Sequence, residues 1–427
     1  WVYGSDKLPV PALEDMLNKA LEVYDPSRPT LASCKGWDYG TAFANESPIS
    51  GPTGVKMLGP YSYVGPSYWY TDTLAGGAFG FNTETGPGPQ VPPLVSLRQM
   101  LPKDKLWPIN ATWDYHCGRN EFGSLNMYTN AMAARYGASH SVEDYAKFAQ
   151  LTNYEAMRPM FEAFAANRPK STGVVQWMLN SAWPEMYWQL YDWYLVPNGA
   201  FYGAQNGCKP INVIYNYATN SLHISNETLV EQRDMHLSIR IMNTESVGLW
   251  QSDTTIQVLA NTSKVLLKLP QISLPKTYFL VLKLTDNKQT VLADKWYWLS
   301  KQPDTHDFAK TTWVGTPIAQ YADLTALRTL RNTHLKVDVQ RTETETDIDL
   351  KLQVTNATSS LAFFTEFRAI DGATNRWITP IFWSDNYLCL LPHETKNISV
   401  HFPKYALKGE IRLEYEGINS TPHDIKF

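Results

Sequence analysis

The stretch Gly76-Gly77-Ala78-Phe79-Gly80-Phe81-Asn82-Thr83-Glu84-Thr85-Gly86 decides how the chain is interpreted. A short apolar run brings one carboxylate, that of Glu84, into a turn rich in glycine and proline. Strands of parallel α/β barrels are apolar along their length, and their catalytic groups lie at the carboxyl end, where the strand meets its loop. The stretch therefore predicts a buried parallel strand with Glu84 as a candidate nucleophile. A carboxylate in such a turn also occurs as a simple turn or helix-cap residue, so neighbouring features must decide.

Length and charge narrow the class of protein. The chain has 427 residues, enough for about two to four domains with a full core. Its net charge of -4 and pI near 6.2 provide no basic field for nucleic acid. No apolar run approaches the length of a membrane span, and the amino terminus lacks the layout of a signal peptide. We therefore expect no nucleic-acid partner and no membrane span.

Aromatic residues make up 13% of the chain, including 15 Trp and 24 Tyr. Their flat rings suit sugars, which have apolar C–H faces and hydroxyl edges, although most of these rings fill the core. The four cysteines, Cys34, Cys117, Cys208 and Cys389, are far apart, so neither a zinc site nor a disulfide framework is indicated. No His/Cys/Asp cluster has metal-ligand spacing. The sequence predicts no metal and no cofactor.

Seven Asn-x-Ser/Thr sequons favour a secreted or periplasmic protein. They lie at Asn45, Asn110, Asn226, Asn261, Asn356, Asn397 and Asn419.

Periodicity divides the chain into three regions. Residues 1–208 show an α/β pattern, with a predicted helix over 13–24, a strand over 29–34, one or two long helices over 142–167 and a strand over 173–179. After Lys209-Pro210, period-two strands separated by turns predict an immunoglobulin-like β-sandwich over 209–300. A polar stretch at 300–310 is typical of a linker, and a second such sandwich is predicted over 301–427.

The α/β region is short for the fold that it suggests. It begins within an apparent strand, Trp1-Val2-Tyr3-Gly4-Ser5-Asp6, and holds too few strand–helix units for a closed (β/α)8 barrel of about 250 residues. We therefore expect the carboxyl-terminal half of such a barrel. Its other half is then a missing preceding segment or a separate polypeptide.

Asp6 completes a pair of carboxylates. It ends the run Trp1–Tyr3 and opens a loop before the first helix, so it too is predicted at the carboxyl end of a strand. Most retaining glycosidases need one carboxylate as nucleophile and a second as acid/base about 5–5.5 Å away. Asp6 and Glu84 are the candidates for these roles, and a turn residue on the approach to a helix is the plain alternative for Asp6.

With these residues in place, the sequence resembles glycoside hydrolase family 2, in the branch of exo-β-D-glucosaminidases (exochitosanases) and plant-type endo-β-mannosidases. The resemblance follows the family's order along nearly the whole chain. Its segments are Gly4–Asp6, Val55–Val64, Ser67–Tyr70, Phe81–Thr85, Arg135–Ala138, Trp177–Trp183, Trp188–Asp192, Tyr202–Ala204 and Tyr297–Ser300.

The resemblance implies a retaining mechanism, with Asp6 as acid/base after barrel strand four and Glu84 as nucleophile after strand seven. The usual family acid/base is the Glu of an Asn-Glu pair, whereas this chain has Ser5-Asp6, as the glucosaminidase branch does. This difference from the usual Asn-Glu pair favours exo-hydrolysis of β-1,4-linked glucosamine from chitosan oligosaccharides. β-Mannoside hydrolysis, including the N-glycan core, remains an alternative, as does a non-catalytic carbohydrate-binding fragment that needs a partner half-barrel.

Four further residues are candidates for substrate binding. Trp177 resembles the tryptophan that floors the sugar site in such barrels, and Asn180 follows it within reach of hydroxyls. Tyr70, next to Trp69, is a candidate to line the pocket or to donate a hydrogen bond to the nucleophile. For each of these four residues, a role in core packing is an alternative of equal weight.

Overall fold

The computed structural model describes residues 1–36 and 46–427. Asn45, one of the seven sequons, lies outside the described residues. Within them, three parts follow one another along the chain: a mixed helix and strand region up to Cys208, and two all-β regions after it.

The region of residues 1–208 places helices around short parallel strands. The first helix, Pro11–Tyr24, begins with proline, whose fixed φ suits the first helical turn. The longest, Val142–Ala166, is one continuous helix whose Ser141 side chain accepts a hydrogen bond from the N–H of Asp144. The remaining α-helices of this region are Tyr68–Thr71, Leu94–Met100, Ala111–Tyr115, Asn126–Tyr136 and Gly199–Gly207, and two 3-10 helices are Lys103–Lys105 and Asn120–Phe122.

Parallel pairing relates the successive strand segments of this region. Strand Gly80–Thr85 pairs in parallel with Ser171–Gln176, and Asn82 forms a parallel bridge with Lys56. The predicted strand over 29–34 is reduced to one parallel bridge, between Val2 and Leu31. Two short antiparallel strands, Glu46–Ser47 and Gly51–Pro52, form a separate hairpin. The half-barrel itself stays a prediction, and the described residues contain no closed ring of strands.

Thr83 fixes the strand that carries Glu84. Its Oγ1 donates to the carbonyl oxygens of Cys34 and Lys56 at 2.9 and 3.1 Å, and so connects three neighbouring segments. The Lys56 ammonium is buried beneath this strand and donates to the carbonyls of Ala75 and Gly77 at 2.8 and 2.5 Å. Burial lowers the pKa of Lys56 to about 7. The buried Lys56 side chain therefore fixes the loop that leads into strand Gly80–Thr85.

The first sandwich packs two antiparallel sheets face to face. One has the strand order Val291–Ser300, Thr277–Thr285, Gln232–Asn243, Gly248–Val258, and the other has Ile211–Asn216, Ser221–Asn226, Thr262–Lys268. Strand Thr277–Thr285 is buried on both faces. Leu280 lies in the sandwich core, whereas the Phe279 ring packs 5.2 Å from that of Phe363 in the second sandwich. The two sandwiches therefore share an apolar contact.

The second sandwich also consists of two antiparallel sheets. Its first sheet has the order Leu335–Glu343, Asp347–Asn356, Thr395–Pro403, Phe382–Trp383. Its second has the order Arg376–Trp377, Ala362–Asp371, Ile411–Gly417, Ser420–Ile425, and Leu388–Leu390 pairs with Ala362–Asp371. Residues alternate between buried and less buried along Asp347–Asn356, as expected for a strand with one face in the core.

The predicted linker at 300–310 is docked rather than extended. It contains strand Thr305–His306, which pairs with Ile318–Gln320. The backbone N–H of Gly65 donates to His306 Nε2 at 3.1 Å, and Ser67 Oγ donates to the Asp304 carbonyl at 2.9 Å. These contacts tie the second sandwich to the region of residues 1–208.

Buried ion pairs join the same parts. Arg135 contacts Glu155 at 2.6 Å and Asp304 at 3.2 Å, and Lys295 of the first sandwich contacts Glu162 of the longest helix at 3.1 Å. Removing one partner of such a pair leaves an uncompensated buried charge, which costs about 3–5 kcal/mol. These clusters therefore specify how the sandwiches sit on the long helix.

Apolar side chains remain exposed at the two ends of the parallel segments. The exposed fraction is 67% for Met16 and 85% for Tyr24 on the first helix, and 48% for Val175 on strand Ser171–Gln176. These apolar side chains are not covered by other parts of the described chain.

All four cysteines lie in the described residues, and each is a free thiol. Among the helices of residues 1–36 and 46–427, none is long and apolar enough to cross a membrane.

Candidate active site

Asp6, Glu84 and Trp177 line one open cleft of about 360 Å³. Three segments bring them together, since Asp6 follows the Val2 bridge, Glu84 lies near the end of strand Gly80–Thr85, and Trp177 follows strand Ser171–Gln176. The rest of the lining is formed by Lys35, Met57, Leu58, Tyr61, Phe122, Trp188 and Trp313. The cleft thus combines two carboxylates, one lysine and a largely apolar and aromatic wall.

Glu84 is half-buried, and its carboxylate has a specific partner. The Tyr61 hydroxyl donates a hydrogen bond to Glu84 Oε1 at 2.9 Å. Burial raises the pKa of Glu84 above its ordinary value, the Tyr61 hydrogen bond lowers it, and the nearby charge of Asp6 raises it again. The two carboxylates are therefore electrostatically coupled, and Tyr61 favours the ionised form of Glu84.

Asp6 lies on an exposed loop whose backbone is fixed by the adjacent segment. Ser33 Oγ donates to the Ser5 carbonyl at 2.8 Å, and the N–H of Cys34 donates to the Gly4 carbonyl at 3.0 Å. A Cβ at Gly4 would stand 2.2 Å from the Lys7 carbonyl oxygen, so the turn requires glycine there. This turn presents Asp6 at the mouth of the cleft.

Trp177 is connected directly to the strand of Glu84. Its N–H donates to the Thr85 carbonyl at 2.8 Å, and its side chain is 41% exposed. A Cβ at Gly86 would stand 2.1 Å from the Trp177 carbonyl oxygen, which explains why the turn after Glu84 needs glycine. Trp177 therefore offers a ring to the same cleft as the two carboxylates.

Four aromatic rings form a continuous wall, which we call the aromatic wall: Tyr61, Phe122, Trp188 and Trp313. The rings of Phe122 and Trp188 lie edge to face at 4.7 Å, and Trp313 lies 5.6 Å from Phe122 and 6.1 Å from Tyr61. Trp188 Nε1 also donates to the Tyr61 carbonyl at 2.9 Å. The wall holds Tyr61 in the position from which it reaches Glu84.

The structure does not bring Trp69 and Tyr70 to this cleft. Both belong to the short helix Tyr68–Thr71. Trp69 is fully buried in a core cluster with Met160 and Phe164, and the Tyr70 ring packs 5.7 Å from Tyr217 of the first sandwich. Burial raises the pKa of Tyr70 well above its ordinary value. The hydrogen bond considered for Tyr70 is made by Tyr61 instead.

Asn180 and His116 also lie apart from the cleft lining. Asn180 is exposed and forms a parallel bridge with Tyr191. His116 stacks on Trp183 at 5.3 Å, and its Nδ1 lies 2.8 Å from the Pro184 carbonyl oxygen. The role of Asn180 in binding sugar hydroxyls stays a prediction, and His116 packs against the loop that carries Trp183.

Sequence reasoning missed Tyr61, Phe122, Trp188 and Trp313. Tyr61 and Trp188 lie in segments quoted above for the family resemblance, which was the available signal for them. Phe122 ends the short 3-10 helix Asn120–Phe122, and Trp313 lies in a loop, so neither residue belongs to a periodic pattern in the sequence.

No group of three or more His, Cys, Asp or Glu side chains suited to hold a metal ion occurs in residues 1–36 and 46–427.

Two family models match the sandwich regions. The exo-β-D-glucosaminidase Ig-fold domain matches residues 313–420, and the mannosidase Ig/CBM-like domain matches residues 219–302.

Individual relatives are similar over most of the chain. It is 36% identical to an exo-β-D-glucosaminidase of Arthroderma benhamiae over 387 residues, which cover 87% of this chain and 42% of that protein. It is 33% identical to one of Streptomyces avermitilis, over 100% of this chain and 48% of that protein. The crystal structure of the exo-chitosanase of Amycolatopsis orientalis matches 100% of this chain and 51% of its own, with a TM-score of 0.92 at 28% identity. The chain thus spans about half the length of the proteins that it matches.

Proposed function

Because the chain is related in sequence and fold to the exo-β-D-glucosaminidase branch of glycoside hydrolase family 2, we propose that it carries both catalytic carboxylates of a retaining exo-β-D-glucosaminidase. The observation that carries the proposal is the shared cleft of Asp6, Glu84 and Trp177. Glu84 is the nucleophile and Asp6 the acid/base.

In the first step, the ionised Glu84 attacks the anomeric carbon. The bond to the leaving oxygen breaks as Asp6 donates its proton to that oxygen, and a covalent glycosyl-enzyme forms. The Tyr61 hydrogen bond supports this step because it favours the carboxylate of Glu84 in a half-buried site.

In the second step, Asp6 acts as a base. It takes a proton from water, whose oxygen attacks the anomeric carbon and displaces Glu84. The configuration at that carbon is inverted twice and is therefore retained. Trp177 supplies an apolar face for the C–H face of the sugar.

The acid/base residue supports an amino-sugar substrate. This chain has Ser5-Asp6, the form found in the glucosaminidase branch, where the usual family pair is Asn-Glu. Chitosan oligosaccharides are therefore the proposed substrates.

The active enzyme needs a second half of the barrel, from a preceding segment or another polypeptide. The exposed apolar residues Met16, Tyr24 and Val175 at the ends of the parallel segments support this part of the proposal. An open parallel sheet leaves unpaired edges, which a partner half would cover. Intact-mass analysis and a denaturing gel of the native sample identify the partner.

We also propose that the protein is secreted or periplasmic. Of the described sequons, Asn226, Asn356 and Asn419 are buried and cannot carry a glycan in the folded chain. Asn261 and Asn397 are exposed. Glycan mapping of the secreted protein should find modification at exposed sites alone.

The decisive experiment assays the complete enzyme on aryl β-glycosides of glucosamine, mannose, galactose and N-acetylglucosamine. We expect the glucosaminide to have the highest kcat/KM, and NMR of the first product to show the β anomer. A preference for the mannoside would move the enzyme to the β-mannosidase class. Binding without turnover of any glycoside would leave a carbohydrate-binding fragment, and an α product would exclude retention.

A further inference from the structure

Trp313 lies at the outer end of the aromatic wall, and Tyr61 lies at its inner end. The Tyr61 hydroxyl contacts Glu84, and the Tyr61 ring lies 6.1 Å from that of Trp313. Trp313 is 49% exposed. The wall therefore leads from the candidate nucleophile to the rim of the cleft.

Trp313 comes from outside the region that carries the carboxylates. It lies in the loop between strands Thr305–His306 and Ile318–Gln320. The Val314 carbonyl accepts hydrogen bonds from the N–H groups of Tyr61 and Ser62, at 2.8 and 2.9 Å. The loop is thus fixed to the segment that carries Tyr61.

A half-exposed indole ring at the rim of a cleft is suited to a ligand. One part of the ring is supported by Phe122 and Tyr61, while the remainder faces solvent. Packing between regions alone would be better served by a covered ring, because exposed apolar area gains nothing from burial. The exposed part matches the apolar C–H face of a pyranose.

We propose that Trp313 binds the sugar on the leaving-group side of the scissile bond, an inference that rests on the proposed glucosaminidase function. An exo-acting site encloses the terminal sugar, so only the leaving-group side extends toward the rim. Tyr61 contacts Glu84 through its hydroxyl and Trp313 through its ring, so Trp313 lies one residue away from the nucleophile, within reach of the neighbouring sugar. The ligand is a β-linked pyranose, the second glucosamine unit of an oligosaccharide.

Transfer to added acceptors tests this role in the complete enzyme. An aryl β-D-glucosaminide forms the glycosyl-enzyme, which then partitions between water and an acceptor hydroxyl. The acceptor oxygen attacks the anomeric carbon, its proton goes to Asp6, and Glu84 is released. Methyl β-D-glucosaminide is the sugar acceptor, and methanol is the control acceptor because it has no ring to stack.

We expect Trp313→Ala to lower the ratio of sugar transfer to hydrolysis by about tenfold. Transfer to methanol should be unchanged, and Trp313→Phe should retain most of the sugar transfer. An unchanged ratio in Trp313→Ala would overturn the proposal. So would an equal loss of the ratio with both acceptors, because the effect would then not depend on a sugar ring in the acceptor.

Should Trp313→Ala fail to fold, Trp313→Leu gives the same test, since it keeps bulk and loses the aromatic face. If the unsubstituted enzyme hydrolyses no aryl glycoside, the proposed function fails, and this inference fails with it. If the unsubstituted enzyme is active and the variants keep normal partition ratios, only the role of Trp313 is refuted.

Discussion

Strand Asp347–Asn356 of the second sandwich has an antiparallel neighbour on each side, Leu335–Glu343 and Thr395–Pro403. Strand Ser171–Gln176 of the amino-terminal region pairs, within the described residues, only with Gly80–Thr85. The exposed fraction differs accordingly, at 0% for Leu350 and 48% for Val175. Within the described residues, the sandwich strand is thus paired along both edges, whereas the strand beside the candidate chemistry is paired along one.

The largest expected effect is loss of activity on substitution of the two carboxylates. It would show that residues 1–208, whose strands are less fully paired, carry the catalytic groups. Glu84→Gln should lower kcat/KM of the complete enzyme by at least about 10⁴-fold, because it removes the nucleophile. Asp6→Ala should lower turnover of an oligosaccharide by about 10²- to 10⁴-fold. With an activated aryl donor, azide should rescue Asp6→Ala and yield the β-glycosyl azide.

Steady-state kinetics measures kcat/KM and turnover of the variants, and NMR identifies the anomer of the glycosyl azide. Glu121→Gln, an exposed carboxamide variant beside Phe122, is the control and should stay within about twofold of the unsubstituted enzyme. Near-normal activity of Glu84→Gln would contradict the assignment.

A core substitution tests whether the sandwich is as complete as its pairing indicates. Leu350→Ala should lower the free energy of unfolding by about 2–5 kcal/mol, since it leaves a cavity in a closed core. The neighbouring exposed Lys351→Ala should change it by less than about 0.5 kcal/mol. Urea unfolding measures both, and an equal effect of the two variants would show that the sandwich core is loosely packed.

A substitution on the exposed side of helix Pro11–Tyr24 tests whether a second half-barrel covers the amino-terminal region. If a second half-barrel covers Met16, then Met16→Glu should destabilise the complete enzyme by about 2 kcal/mol, because buried apolar area is lost. Leu229→Glu, at an 89% exposed site in the first sandwich, is the matched control and should be neutral. Thermal melting of the complete enzyme compares them. A neutral Met16→Glu would remove this flank from the proposed interface.

The smallest expected effect concerns the electrostatics of the cleft. Tyr61→Phe removes the hydrogen bond that lowers the pKa of Glu84, so burial and the Asp6 charge should raise that pKa further. The active form is the carboxylate, so the acidic limb of the kcat/KM profile should move to higher pH, with about tenfold lower activity on that limb. Tyr63→Phe is the control, because its hydroxyl contacts Arg135. A shift in the opposite direction, or an equal shift in the control, would contradict this role.

Residues of the predicted site differ in how far the sequence could locate them. Glu84, Asp6 and Trp177 each follow a short apolar run, and parallel pairing brings the ends of such runs together. The long helix and most sandwich strands follow from periodicity. Strand Thr262–Lys268 lacks this signal, because its sequence, Thr-Ser-Lys-Val-Leu-Leu-Lys, does not alternate between apolar and polar residues.

The remaining site residues depend on tertiary contacts that local pattern does not encode. Trp69 and Tyr70 share the aromatic character of site residues, but their helix turns them into the core against the long helix and the first sandwich. Trp313 lies just beyond a predicted linker, 229 positions from Glu84 (313 minus 84), and reaches the cleft through a hairpin loop. Only the docking of that loop on Tyr61 and Ser62 reveals its place.

The docked hairpin loop also bears on how such proteins diversify. Because Trp313 lies within the match to the exo-β-D-glucosaminidase Ig-fold domain, residues 313–420, yet lines the cleft, exchange of that domain between homologues would transplant part of the pocket while leaving both carboxylates in place. Recombination at the domain level would then change one wall of the cleft without a mutation at either carboxylate. Chimeras between homologues should therefore keep this loop together with the segment that carries Tyr61.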